Sequence, residues 1–307
     1  FIAKVQSSHG SKESIRVQNI TGSTIYVQRQ GKALNEFVYD RSGEGYLTTQ
    51  ISLLSSHLLA TPIDMSIRRA TSTDEGDRLV VVNNDGSAAV YTLLKDQNIV
   101  AATKFTTDGD LLNVATVVSD QYVAVKRTIN SANKYYIELF DEDLTLDSAV
   151  SGGAASSHSS GHLNQKTVKV IGDGVMQADV TAGASTITFA SSTSSSYQAG
   201  LDYTVTLKTL PIEPGIQGVA SLKGFKKRVL EVNAFLNETQ NLTINDNTIP
   251  IRTLGTSNLD VGVPSFTGTK TLHGILGYSL TGQITIGQSA PLKLHLLGMD
   301  YKVSTGG

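Results

Sequence analysis

Residues 79–93, LVVVNNDGSAAVYTL, decide how the rest of the chain is read. The apolar runs at 79–82 and 88–93 flank Asn83-Asn84-Asp85-Gly86, and Asp-Gly supplies the positive φ angles that a tight turn between antiparallel strands requires. A β-hairpin is therefore expected here, and similar units lie on either side. Upstream, Ile15 and Val17 are separated from Ile25 and Val27 by Thr21-Gly22-Ser23, and ALNEFVY at 33–39 alternates before the turn DRSGEG at 40–45. SLLSSHLL at 52–59 breaks the alternation and reads as a short helical turn. Downstream, the turn Thr107-Asp108-Gly109-Asp110 punctuates strands expected at 99–105, 112–118, 121–127 and 135–140. Turn signals at this spacing, with no long amphipathic helices between them, point to antiparallel sheets in a propeller or a sandwich.

Beyond residue 146 the chain becomes SAVSGGAASSHSSGH, whose side chains offer little apolar surface to offset the entropy of ordering. A Ser/Gly-rich linker is expected over 147–165, dividing a propeller-like β domain at 1–146 from a β-sandwich or barrel-like domain at 166–307. In the latter, strands are expected at 167–171, 177–180, 185–189, 203–207, 228–235, 241–244, 272–276, 283–286, 292–297 and 300–303. All six prolines fall in loops or at the margins of these segments.

The composition narrows the chemistry. There is no cysteine, which excludes disulfides, thiolate metal sites and thiol nucleophiles. A net charge of −2 lacks the basic excess with which tight nucleic-acid binders displace counterions. His158 and His162 lie close in HSSGH, but a metal there would need ligands from elsewhere, so a solvated loop is the preferred reading. The acidic groups Asp74-Glu75-Asp77 and Asp141-Glu142-Asp143 lack the order of a calcium loop and read as solvated turns. The serines at 191–196 lack a nucleophile elbow, and no phosphate-binding glycine loop is present. No catalytic residue, cofactor or metal is expected. Lys223, Lys226, Lys227 and Arg228 form one basic run able to touch a polyanion weakly; a charged strand edge that discourages aggregation is the plainer reading.

The order of segments resembles one family. Gln6-Ser7-Ser8 and Gly10, then Val27, Gln28, Arg29, Gly31, Leu34, Glu36 and Tyr39, then Tyr46, Ile51, Leu54, His57 and Leu58 follow motifs of the tail nozzle, or tail tubular B, proteins of short-tailed bacteriophages and related prophages. Similarity continues through VVVNNDGSAAVYTL (80–93), VAVKRTINSANKYYIELFD (123–141), GLDYTVTLKTLP (200–211), FTGTKTLHGILGYSL (266–280) and APLKLHLLGMDYKV (290–303). It thus spans nearly the whole chain.

Two departures stand out. The family usually carries Trp around the Asp-Gly hairpin and the next strand, where this chain has Val81 and Thr103 and no Trp anywhere. Family members are also usually much longer on the N-terminal side, so this chain is expected to hold the later blades of a propeller. The resemblance implies a structural virion protein at the viral tail, assembled as a sixfold ring that lines the DNA exit channel. It implies the tail adaptor and tail fibre or spike proteins as partners, with only transient, non-specific passage of viral DNA. Two competing readings are an adhesin that engages glycans through aromatic platforms, and a glycoside hydrolase with paired carboxylates about 5 to 10 Å apart.

Overall fold

The structure, a computed structural model, describes residues 8–72, 75–213, 223–252, 261–275 and 277–306. It divides into two compact units, Phe1–Glu142 and Asp143–Gly307. Among the described residues the protein is all-β: every strand pairing is antiparallel, and the only helical pieces are the 3-10 turns Ser56–Leu58 and Lys95–Gln97. The first of these falls where the leucine spacing at 52–59 predicts a helical turn.

The first unit consists of three consecutive meanders. β1 (Gln18–Ile20), β2 (Ser23–Val27), β3 (Leu34–Asp40) and β4 (Gly45–Gln50) form one sheet in chain order. β5 (Pro62–Arg68), β6 (Asp77–Asn83), β7 (Ala88–Leu94) and β8 (Ile99–Phe105) form the second, and β9 (Asp110–Val117), β10 (Asp120–Ile129) and β11 (Ala132–Leu139) the third. The β6–β7 hairpin is the one read from LVVVNNDGSAAVYTL. Gly86 sits at φ +80, and a Cβ there would also meet Asp110 Cα at 2.9 Å, so the position excludes larger residues on two counts.

The four apolar residues in a row at 79–82 have a packing reason. Strand side chains alternate between faces. Leu79 and Val81 pack with Ile25 and Leu34 of the first sheet, whereas Val80 and Val82 pack with Val114 and Val123 of the third. The second sheet is thus covered on both faces, which converts the usual alternation into a continuous apolar run. Each fully buried side chain of this size contributes about 1.5–3 kcal/mol. Val81, where the resembling family carries Trp, is fully buried, while Thr103 is exposed. Asn83, also fully buried, donates to Leu58 O at 2.9 Å and accepts from Ala60 N at 3.0 Å, which ties the loop after the first 3-10 turn to the hairpin.

In the second unit, β12 (Asp147–Gly152), β13 (Ser157–His158), β14 (Thr167–Gly172), β15 (Val175–Met176), β16 (Val180–Thr181), β17 (Ile187–Thr188) and β18 (Tyr197–Leu201) come first. β12, β18, β14 and β15 pair in that order; β16 joins β14, and β13 pairs with β17. β19 (Thr206–Lys208), β20 (Lys226–Thr239), β21 (Thr243–Ile244), β22 (Asn247–Thr248), β23 (Phe266–His273), β24 (Thr285–Gly287) and β25 (Leu296–Gly306) follow. They form two sheets, β19-β24-β21-β22 and β23-β20-β25. Val232, Ala234 and Leu236 of β20 point, at period two, into a core shared with Leu242, Ile244, Ile284 and Ile286. None of the described sheets closes into a barrel.

Two expectations need correction. The division between units falls after Glu142, and residues 147–165 belong to the second unit instead of linking two domains. β12 and β13 lie inside that Ser/Gly-rich segment, β12 pairing with β18, a strand the sequence reading left out. The small residues permit close approach: a Cβ on Gly152 would meet the Tyr197 ring at 2.8 Å, and one on Gly200 would meet Asp147 O at 2.7 Å. Further on, the segments 292–297 and 300–303 lie partly within one strand, β25, and Leu276 lies outside the described residues.

Candidate functional site

The basic run enters β20, and strand alternation separates its members. Lys223 and Lys226 are exposed. Lys227 points to the opposite side, is 2% exposed, and donates from Nζ to Leu280 O at 3.0 Å. Its backbone pairs with Ser279 on one side and Thr305 on the other. Arg228 is half-buried and donates from Nε to Ile275 O at 3.1 Å. The four cations therefore do not form one patch: Lys227 serves the fold, and Arg228 is partly committed to a carbonyl.

The histidine pair is also structured. His162 Nε2 lies 3.0 Å from Ser148 O; because a carbonyl only accepts, Nε2 carries the proton and Nδ1 takes the Ser160 hydroxyl. The Tyr197 hydroxyl lies 2.5 Å from His158 Nδ1. Burial, aided by the nearby His162, pushes His158 below the usual histidine range. Among the described residues no three His, Asp or Glu side chains gather as a metal-binding group.

The acidic turns are occupied by arginines. Glu142 accepts from Arg68 at 3.3 Å and from Arg78 at 3.1 Å, and Arg78 also lies over the Phe140 ring. Asp77 caps Ala70 N at 2.9 Å; Asp74 lies outside the described residues. The serine run at 191–196 has an unforeseen partner in Asp173. Its carboxylate accepts the backbone N–H groups of Ser194, Ser195 and Ser196 and the hydroxyls of Ser194 and Ser195 at 2.7–3.0 Å. These donors, led by the backbone of Ser194, hold Asp173 well below the usual carboxylate range. The serine run is thus a loop ordered around one carboxylate.

Two surfaces of the first unit remain. The first is the outer face of the third sheet. Val123, Val125 and Arg127 of β10 face the second sheet, so their β11 partners Glu138, Tyr136 and Lys134 share that inner side. Tyr135, Ile137 and Leu139 consequently point outward, with Ile137 81% and Tyr135 68% exposed. Tyr122, Ala124 and Ala115 continue the same face across the sheet. On β11 the Glu138 carboxylate thus lies inward, whereas Tyr135, Ile137 and Leu139 lie outward, with Lys126 of β10 opposite Tyr135 on the same face. Inward, Arg127 is fully buried and forms a bidentate pair with Glu138 at 2.7 and 2.6 Å, plus a bond to Asp108 O at 2.9 Å. The sequence contains this signal in the alternation of KYYIEL, but which side faces the core depends on the pairing with β10.

The second surface is a wedge between the first and second sheets. On the β1/β5 side they are clamped together: Gln18 Nε2 donates to Met65 O at 3.1 Å and Arg69 Nη2 to Asn19 O at 2.6 Å. On the β4/β8 side they splay around a cavity of about 430 Å³ walled by Ile25, Ile51, Leu93 and Val100. Lys95 crosses this side to Glu36, and its Nζ donates to Ser23 Oγ at 2.7 Å. No sequence motif marks the wedge.

Comparison with models of known protein families returns no match, and comparison with curated proteins returns none either.

Proposed function

We propose that this chain is a structural component of a short-tailed bacteriophage virion, part of the tail nozzle lining the DNA exit channel. The observation that carries this reading is the outward apolar face of β11 on a stack of meander sheets. Exposed apolar side chains gathered on one face favour an interface, and consecutive antiparallel meanders suit the propeller blades that this reading calls for. The ordered resemblance of segments along the chain supports the same reading. A ring, six chains in this proposal, requires side-to-side contacts that close on themselves, and rigid stacked sheets hold such contacts at a fixed angle.

Charge is consistent with a conduit. At a net charge of −2, with Lys227 withdrawn from the surface, the protein offers little counterion release on meeting DNA. The genome would be held and released without a strong grip on the wall. The tail adaptor, and tail fibre or spike proteins, are the proposed partners.

Negative-stain microscopy of the chain mixed with purified portal–adaptor complexes tests the proposal. Rings seated on the adaptor are expected, and Ile137→Lys is expected to abolish them while leaving thermal unfolding within about 0.5 kcal/mol of the parent, as for an exposed position. Failure of the parent chain to bind any portal–adaptor assembly refutes the reading.

One observation favours an adhesin as the second reading. Phe37 and Tyr46 stack with ring centroids 4.7 Å apart, and Tyr39 meets Tyr46 edge-on at 5.2 Å. Tyr39 and Tyr46 are exposed, on the side of the first sheet opposite the wedge, and could carry a sugar ring. Glycan-array binding lost in Tyr46→Ala would select that reading over the nozzle.

A further inference from the structure

In the sheet β23-β20-β25 of the second unit, Val232, Ala234 and Leu236 of β20 point into the core, so Glu231, Asn233 and Phe235 point to the opposite face. Across the ladders Glu231 lies between His273 and Lys302, Asn233 between Thr271 and Asp300, and Phe235 between Thr269 and Gly298. A chain of hydrogen bonds fixes the middle of this face. The Thr271 hydroxyl donates to Asn233 Oδ1 at 2.6 Å, which turns the amide so that Nδ2 donates to Asp300 Oδ1 at 2.6 Å and to Glu231 Oε1 at 3.2 Å. Lys302 Nζ holds both Glu231 oxygens, at 3.1 and 2.9 Å, and with Asn233 keeps that carboxylate below its usual range. The Thr271 and Asn233 protons are thus spent inside the network. A carboxylate has about four acceptor sites, so Asp300 keeps acceptor capacity to offer outward, as does the Thr271 oxygen. Beside them Phe235 is 38% exposed, and Gly298 carries no side chain to cover its ring: a Cβ there would stand 3.8 Å from Phe235 Cδ2.

We infer that this face binds a neutral oligosaccharide, one sugar ring lying on Phe235 while its hydroxyls donate to Asp300 and Thr271. The chemistry of the face selects that class. A sugar ring has an apolar C–H face and a rim of hydroxyl donors, and here an open aromatic ring adjoins a row of fixed acceptors. Along β20, Asn233 stands about 7 Å from Phe235, so a ring seated on Phe235 brings its rim to the Thr271-Asn233-Asp300 row. Asp300 and Glu231 repel an anionic ligand, and the Lys302 ammonium on Glu231 opposes a metal cation. An aliphatic chain would cover the Asp300 carboxylate without supplying a donor, which costs the full desolvation of that group. The inference goes beyond the nozzle reading and is independent of it, because it uses neither the outer face of the third sheet nor ring formation. It is equally independent of the tyrosines on the first sheet.

A panel of hexasaccharides of glucose, mannose and galactose in α and β linkage, with oligogalacturonate as the acidic counterpart, supplies the probes for the full chain. At least one neutral member is expected to bind and to shift the amide resonances of Asn233, Phe235 and Thr271 in NMR spectra, and oligogalacturonate is not. Phe235→Ala and Asp300→Ala are each expected to weaken binding about tenfold or more. Phe235→Tyr keeps the ring and is expected to keep binding, and unchanged hydrogen exchange of β20 amides shows that the variants fold. Tyr46→Ala, on the first sheet, is expected to leave binding unchanged. The inference is overturned if no neutral member binds at concentrations on the order of 1 mM, if oligogalacturonate binds better than every neutral member, or if the shifted resonances lie away from β20. It is also overturned if binding survives both alanine variants or is lost in Tyr46→Ala alone. Loss of adaptor binding with retained oligosaccharide binding at β20 would remove the nozzle reading alone.

Discussion

Replacing Glu138 by Gln should damage the first unit more than replacing Arg127 by Met, although the two residues form one pair. The Arg127 side chain is fully buried, whereas the Glu138 side chain retains 21% of its exposure. At the contact distances of 2.6–2.7 Å the guanidinium and carboxylate hydrogen-bond directly. At a charge separation of about 4 Å and an effective dielectric near 20, such a pair gains about 4 kcal/mol. Glu138→Gln removes the negative charge and leaves a buried cation with Asp108 O among its remaining partners, which costs about 3–5 kcal/mol. Arg127→Met leaves a carboxylate that can turn toward water, at a cost of about 1–3 kcal/mol. The double variant Arg127→Met, Glu138→Leu should recover to within about 2 kcal/mol of the parent, because no charge is left buried. Because the chain has two units, global unfolding is not assumed to be two-state. Hydrogen exchange of β10 and β11 amides, followed in urea, isolates the relevant region. A smaller loss for Glu138→Gln than for Arg127→Met, or a double variant as unstable as the sum of the singles, would refute the argument that desolvation of Arg127 dominates. The same measurement bears on function, since this pair holds β11 in the register that turns Ile137 outward.

Three further outcomes follow from local geometry. Val118, a β-branched residue at φ +59 in an exposed turn, should be improved by Val118→Asn, raising stability by about 0.5–1 kcal/mol in thermal unfolding; a loss would mean that the side chain makes a contact of its own. Asp173 contributes stability that is fully present above the ordinary carboxylate pKa of about 3.9 and lost as pH falls below it toward the depressed folded value, because the unfolded state takes up the proton first. Parent and Asp173→Ala should therefore converge in acid, and a gap that persists unchanged below pH 2, on the order of two units under the ordinary value, would contradict this. His158, with its folded pKa lowered, should titrate below the usual histidine range in NMR; the stability it contributes in the neutral form is present above about 6.5 and declines as pH falls through the folded value. Titration above that range would show that burial and the nearby His162 do not favour the neutral ring.

Local chemistry was enough to place most of the first unit. The Asp-Gly turn, the Thr-Gly turn at 21–22 and the alternation in ALNEFVY each act within a few residues, through φ preferences and side-chain period, so the hairpins are legible in sequence. The all-β antiparallel class follows from the same signals. What sequence could not supply was anything dependent on a partner distant in the chain. Residues 147–152 look like a linker because small side chains bury little surface, yet β12 is a strand paired with β18, Gly152 leaving room for the Tyr197 ring and Gly200 for the Asp147 carbonyl. Four basic residues within six positions look like a patch, but the entry of β20 at Lys226 turns Lys227 inward onto Leu280 O. The alternation of KYYIEL puts Tyr135, Ile137 and Leu139 on one face of a strand without saying which face is buried. Only the pairing of Glu138 with Arg127 across β10 and β11 decides that those residues face out. Strand period determines which residues travel together, whereas the face they meet is set by packing between sheets, and packing is a property of the tertiary fold.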